Sequence, residues 1–139
     1  MKLLLDTNVV LDVLLQRVPW VEHAQAIWQA HDQKQITAFV TATTITDIFY
    51  IARRGHSYEK ANQAIDACLK AFEICSVNKQ ALILARAFPG NDFEDNLQIA
   101  CATIAGLDGI VTRNPVDFSQ SAITVLSPEE IVEQLKNID

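Results

Sequence analysis

The stretch NDFEDNLQIA, residues 91–100, places Asp92, Glu94 and Asp95 directly ahead of the apolar run LQIACATIAGL. Acids at a helix start cap free N–H groups and sit well against the positive end of the helix dipole. Two carboxylates three residues apart on a helix also share a face, so Asp92 and Asp95 could hold a cation between them. Other segments carry matching groups: Asp6 follows LLL, Asp47 lies in TITDIFYIARR, and Asn114 follows GIVT. Like charges that converge repel one another, and some must take up protons unless a cation compensates them. Carboxylates with carbonyl oxygen and water suit a hard ion, Mg²⁺ or Mn²⁺. Such an ion lowers the pKa of a bound water and stabilises charge on a phosphoryl oxygen, which is the chemistry of phosphodiester hydrolysis. No spacing suggests a cysteine, serine or histidine nucleophile.

The elements that must position these groups alternate between strand and helix. LLL at 3–5 reads as a short buried strand, ended by Asp6, Thr7 and Asn8, and VVLDVLLQ as the helix after it. Pro19 opens a second helix, WVEHAQAIWQAHDQ; TAFVTA (37–42) is a strand, and TITDIFYIARR a helix stopped by Gly55. Ser57 caps YEKANQAIDACLKAF, EICSV (73–77) is a strand, and NKQALILARAF is a helix halted by Pro89 and Gly90. The acidic stretch leads a helix to Gly106, GIVT (109–112) and ITVL (123–126) are strands, and SPEE (127–130) is a capping box with proline at the first helical position. This alternation predicts an α/β fold, a three-layer sandwich with helices flanking a mostly parallel sheet. Sites in such sheets form outside the carboxyl ends of the strands. Asp6 and Asn114 stand at such ends, Asp47 one helical turn beyond another, and Asp92 and Asp95 open the helix before GIVT.

At 139 residues the chain is long enough for one domain with a real core and too short for two, so residues 1–139 are read as a single unit. A net charge of −6 argues against a passive nucleic-acid binder that works by bulk charge, but leaves room for an enzyme touching a phosphate backbone locally. Cys68, Cys75 and Cys101 lie in apolar stretches with no metal-ligand spacing, as small buried hydrophobes of a reducing cytoplasm would. The opening MKLLLD is broken too early by Asp6 for a signal peptide, and no run reaches membrane-spanning length.

LLLDTNVVLD, TTITDIFYIARR, GNDFEDNLQIACATIAGLDGIVTRNPVDF and VLSPEEIVEQL, in this order from about residue 2 to 135, together resemble the PIN-domain ribonucleases. Within that family the set is most similar to the VapC-like toxins of bacterial toxin–antitoxin pairs. The resemblance implies a PIN fold and an acidic pocket that binds Mg²⁺ or Mn²⁺ and cuts single-stranded or structured RNA. It puts the catalytic acids on Asp6, Asp47 and Asp95, the metal on Asp6 and Asp95 with Asp92 as an added acid, and the fourth position on Asn114. A homodimer and a cognate antitoxin are the implied partners. Asp47 stands where the family usually has glutamate, one methylene longer, and Asn114 is neutral, which favours a single-ion pocket.

Simpler roles compete with each of these. Asp6 could cap the first helix, and Thr44 or Thr46 could cap the third while Asp47 merely favours its dipole. Asp92 is placed to cap, whereas Asp95, one turn inside, has no orphan N–H to serve and is the better ligand. Asn8 reads as a support for Asp6, and Asp117 as a turn residue. Arg53, Arg54, His56 and Lys60 form a basic cluster whose ordinary reading is a solvated helix end; Arg53 and Arg54, with Arg113, are the candidate RNA contacts. His23 and His31 read as surface residues, and Trp20, Trp28, Phe49, Tyr50 and Phe72 as core or dimer contacts. Against the nuclease stand a catalytically degenerate scaffold of the same fold and a phosphatase with Asp6 as nucleophile. The second fits poorly, because position 8 is Asn where D-x-D is wanted.

Overall fold

Leu3, Leu4 and Leu5 are 0%, 0% and 2% exposed, so the first strand, β1 (Lys2–Leu5), is covered on both faces. That burial is why it is a plain apolar run rather than an alternating one. The computed structural model describes residues 1–137. Among them, β1 is the centre of a five-stranded sheet with β2 (Thr37–Thr41), β3 (Glu73–Cys75), β4 (Gly109–Val111) and β5 (Thr124–Leu126) in the order β3-β2-β1-β4-β5. Every pairing is parallel, with Leu4 opposite Phe39 on one side and opposite Ile110 on the other. The chain builds outward from β1 through β2 to β3, then returns to place β4 on the other flank of β1. The crevice between the carboxyl ends of β1 and β4 is therefore a topological switch point, where such sheets bind ligands.

Helices cover both faces. Leu3 and Leu5 pack on one side with α1 (Thr7–Leu14), α2 (Val21–Asp32), α3 (Ala42–Gly55), α4 (Tyr58–Ala71) and α7 (Pro128–Lys136). Leu4 points the other way, into a second cluster with α5 (Lys79–Ala87) and α6 (Phe93–Ala105). The three-layer sandwich is as the alternation of apolar runs predicts.

Several boundaries move. α1 starts at Thr7 because Asp6 itself caps it, and β3 ends at Cys75 where Asn78 begins to cap α5. The cap of α3 is Thr41, accepting from the Thr44 N–H, rather than Thr44 or Thr46. Gly55 is the last residue of α3 and not a left-handed stop, whereas Gly106 ends α6 at φ 68° in the left-handed region that glycine tolerates. The Ser127–Glu130 capping box is formed in both directions. His31 is not a surface residue. Its Nδ1 accepts from the Ala38 N–H at 3.0 Å, which leaves Nε2 to donate to the Ala71 carbonyl, so the ring ties α2 to β2 and α4. Trp28 packs against Phe72 and Phe49 joins the first core cluster, but Trp20 and Tyr50 are exposed.

Candidate active site

A cavity of about 410 Å³ opens at the carboxyl ends of β1 and β4 and is lined by acids from separate segments, among them Asp6, Asp47, Asp92, Glu94, Asp95 and Asp117. Asp6 is the anchor. Its N–H extends the ladder to the Val111 carbonyl at 2.9 Å, which fixes the residue beside the end of β4. Its carboxylate, in a residue 8% exposed, accepts from the Thr7 N–H at 2.8 Å and Gln98 Nε2 at 3.0 Å on Oδ1, and from Thr112 Oγ1 at 2.9 Å on Oδ2. Asp6 therefore caps α1 and faces the cavity at once.

Asp47 reaches the cavity from α3, whose start is tied to α1 by hydroxyls: Thr7 Oγ1 meets Thr44 Oγ1 at 2.9 Å, and Thr44 meets Thr41 at 3.1 Å. The N-terminus of α6 supplies the rest. Asp92 caps it by accepting from the Asp95 N–H at 3.1 Å, leaving the Asp95 side chain without a capping duty. Burial, and then the charges of Asp92, Asp6 and Asp117, push the Asp95 carboxyl up to about 7. Glu94 is pushed up to about 8, first by a hydrogen bond with Asp47, then by burial and the charges of Asp47, Asp92 and Asp95. Two carboxyls share a hydrogen bond only while one of them holds a proton, and Glu94, raised to about 8, keeps that proton near neutrality. The cavity thus carries more negative charge than its own cations offset.

The residues singled out by sequence divide as follows. Asp6, Asp47, Asp92, Asp95, Asn114, Asn8 and Arg54 all line this cavity. Asn8 does not hold Asp6; its Oδ1 accepts from an Arg17 guanidinium nitrogen at 3.3 Å. Asp117 lies in a 3-10 turn, Pro115–Phe118, and lines the cavity as well. Arg53 points instead to the Tyr58 ring, 5.8 Å from its centroid. Arg113 is turned inward, with Nε 3.1 Å from Asp12 Oδ2 and its guanidinium 3.9 Å above the Trp20 ring, so it is an internal ion-pair partner rather than an exposed RNA contact. Desolvation raises the Asp12 carboxyl despite Arg113 and Arg17 beside it. Gln98 and Thr112 were not singled out, and Glu94 was noted among the acids of its stretch without a role. For Gln98 a signal existed: it is a polar residue inside an apolar run, three positions after Asp95 and so on the same helix face.

The donor set suits a hard divalent ion: carboxylate oxygens from separate segments face one cavity, crowded enough to hold protons on Asp95 and Glu94. The acids ring an open cavity; among the described residues no three acidic, histidine or cysteine side chains are drawn together as a preformed metal cluster. Cys68, Cys75 and Cys101 are buried and free, and burial raises all three thiols, so none is a nucleophile.

No curated protein matches the chain at a significant level. Among solved structures, the DNA-bound VapBC of Salmonella typhimurium superposes with a TM-score of 0.71 at 19% identity, over 92% of this chain and 98% of that one. A toxin–antitoxin complex from Klebsiella pneumoniae gives 0.66 at 21%, covering 90% and 96%. Mycobacterium tuberculosis VapC20, a sarcin-ricin loop cleaving toxin, gives 0.64 at 12%, covering 78% and 86%. At such identities the likeness is one of fold. The family model described as PIN domain matches residues 2–115, which spans the sheet from β1 to β4 and every acid of the cavity but Asp117, and the chain belongs to the PIN domain family.

Proposed function

We propose that this chain is a divalent-metal-dependent endoribonuclease and the toxin of a toxin–antitoxin pair, acting in the cytoplasm as a homodimer that a cognate antitoxin restrains. The observation that carries the reading is the gathering of Asp6, Asp47 and Asp95, with Asp92 and Glu94, around one cavity crowded enough in negative charge to hold protons on Asp95 and Glu94. The names of the similar structures, a sarcin-ricin loop cleaving toxin and two toxin complexes, support the substrate and partner classes.

Asp6 and Asp95 would hold Mg²⁺ or Mn²⁺, with Asp92 as a further acid, and the ion would supply an acidified water and neutralise charge on the scissile phosphate. The chain's own groups do the rest. Three hydrogen bonds hold Asp6 as an acceptor. The attacking water bonds to phosphorus through its oxygen and gives its proton to the Asp47 carboxylate, beside which Glu94 holds a proton near neutral pH to hand to the departing ribose oxygen. The bond from phosphorus to the departing ribose oxygen then breaks. Glu94 also bears on the shortened second acid, since its longer side chain meets Asp47 directly. Arg54 is the exposed cation on the cavity rim, placed to meet an RNA phosphate.

The test is cleavage of single-stranded RNA by the purified chain with Mn²⁺. Chelation is expected to abolish it, and Asp47→Asn to lower kcat by about 10²–10⁴-fold, the range a positioned acid–base group contributes. Full retained cleavage by an Asp6→Asn, Asp95→Asn double variant would sink the reading, and growth arrest relieved by Asp6→Ala would mark the toxin. A second reading, a scaffold with a degenerate pocket, draws on the spread of the acids and on the neutral Asn114. Absence of Mn²⁺ binding by calorimetry would favour it.

A further inference from the structure

Gln98 sits midway along α6, 2% exposed, between apolar neighbours, and it lines the acidic cavity. Its Nε2 donates to Asp6 Oδ1 at 3.0 Å. A carboxylate only accepts, so this bond fixes the amide: nitrogen toward Asp6, carbonyl away from it. That carbonyl, Oε1, is buried without any hydrogen-bond partner. The other buried side-chain atoms in that position among the described residues, Asp12 Oδ1 and Oδ2 and Arg113 Nε, belong to the ion pair behind α1 and do not line the cavity. A buried carbonyl left unpaired is costly, and folded proteins seldom keep one without a reason.

The same bond sorts the two oxygens of Asp6. Oδ1 accepts twice, from the Thr7 N–H and from Gln98, which fills its in-plane lone pairs. Oδ2 accepts once, from Thr112 Oγ1, and keeps a lone pair free. We infer that Gln98 is a positioning residue for a divalent cation: its nitrogen keeps Asp6 Oδ1 occupied so that Asp6 meets the ion through Oδ2, and the unpaired Oε1 is the cost of holding the amide in that orientation. Groups that orient the ligands set affinity nearly as much as the ligands do. The inference rests on the reading of the cavity as a cation site.

Gln98→Met keeps length and volume and removes both polar atoms. Calorimetry with Mn²⁺ alone, without RNA, is expected to show affinity reduced by about 10–100-fold relative to the unsubstituted chain. A Gln98→Met protein that unfolds more readily yet binds Mn²⁺ as tightly as the unsubstituted chain overturns the inference, because the residue then only fastens α6 to β1. Gln98→Glu decides the matter if the first variant does not fold. It keeps an acceptor but sets a second carboxylate against Asp6, so the metal-free protein should melt lower and Mn²⁺ should raise its Tm more than it raises that of the unsubstituted chain. An equal or smaller rise overturns the inference. Failure of the unsubstituted chain to bind Mn²⁺ overturns the cation-site reading itself, and is seen before any variant is made.

Discussion

Thr112 shows how much a single hydroxyl carries at this site. It is fully buried, donates to Asp6 Oδ2 at 2.9 Å and accepts from the Asn114 N–H at 3.1 Å, so it joins the first acid to the fourth position. Thr112→Val keeps the shape and orphans both partners; equilibrium urea unfolding should show a loss of about 1–3 kcal/mol, and Thr112→Ser should recover most of it. The acids themselves set a pH dependence. Asp95 at about 7 and Glu94 at about 8 are raised in the folded state, so the folded protein binds protons that the unfolded chain has already released. Their contribution is complete below the ordinary carboxylate range and is lost as pH rises through those raised values. The Tm of the metal-free protein should therefore fall between about pH 5 and pH 8, and Asp95→Asn with Glu94→Gln should flatten that slope. The sequence displays these acids side by side, but Asp47, which meets Glu94, lies on another helix. Their pairing is not legible locally.

At the scale of elements, the start of α6 positions Asp92, Glu94 and Asp95, and a small clamp holds it. Asn96 Nδ2 donates to the Gly90 carbonyl at 2.8 Å, and Gln120 Nε2 donates to Asn96 Oδ1 at 2.6 Å. A Cβ on Gly90 would collide with both of those side chains. Gly90→Ala should push those side-chain ends aside and break the Gln120–Asn96 hydrogen bond, costing about 1 kcal/mol, read as a lower Tm, and a Gly90→Ala, Gln120→Ala double variant should recover part of it. Sequence reading takes Gly90 for a helix stop, which is half of its role. Capping motifs are legible where the partners are three residues apart, as at Ser127 and Glu130. They are missed where the cap is also the last residue of the preceding strand, as Thr41 is.

For the molecule as a whole, the ion pair behind α1 joins elements far apart in the chain. Asp12 is fully buried, with Arg113 from beyond β4 at 3.1 Å and Arg17 at 3.8 Å. Removing the nearer cation leaves a buried carboxylate poorly compensated, so Arg113→Met should destabilise the protein by about 3 kcal/mol in denaturant titration. The same substitution should leave RNA affinity unchanged, since Arg113 faces inward. What the sequence determined alone is the α/β alternation, the buried central strand and the acids at strand and helix ends. Those features follow from hydrophobic period, caps and turn residues acting within a few positions. Only the tertiary structure decided that Gln98 reaches Asp6 across 92 positions, that Glu94 meets Asp47, that Arg113 turns to Asp12, and that His31 bridges two helices and a strand. Partners of that kind are chosen by the order of parallel crossovers and by strand register, and neither leaves a mark in the local pattern of residue types.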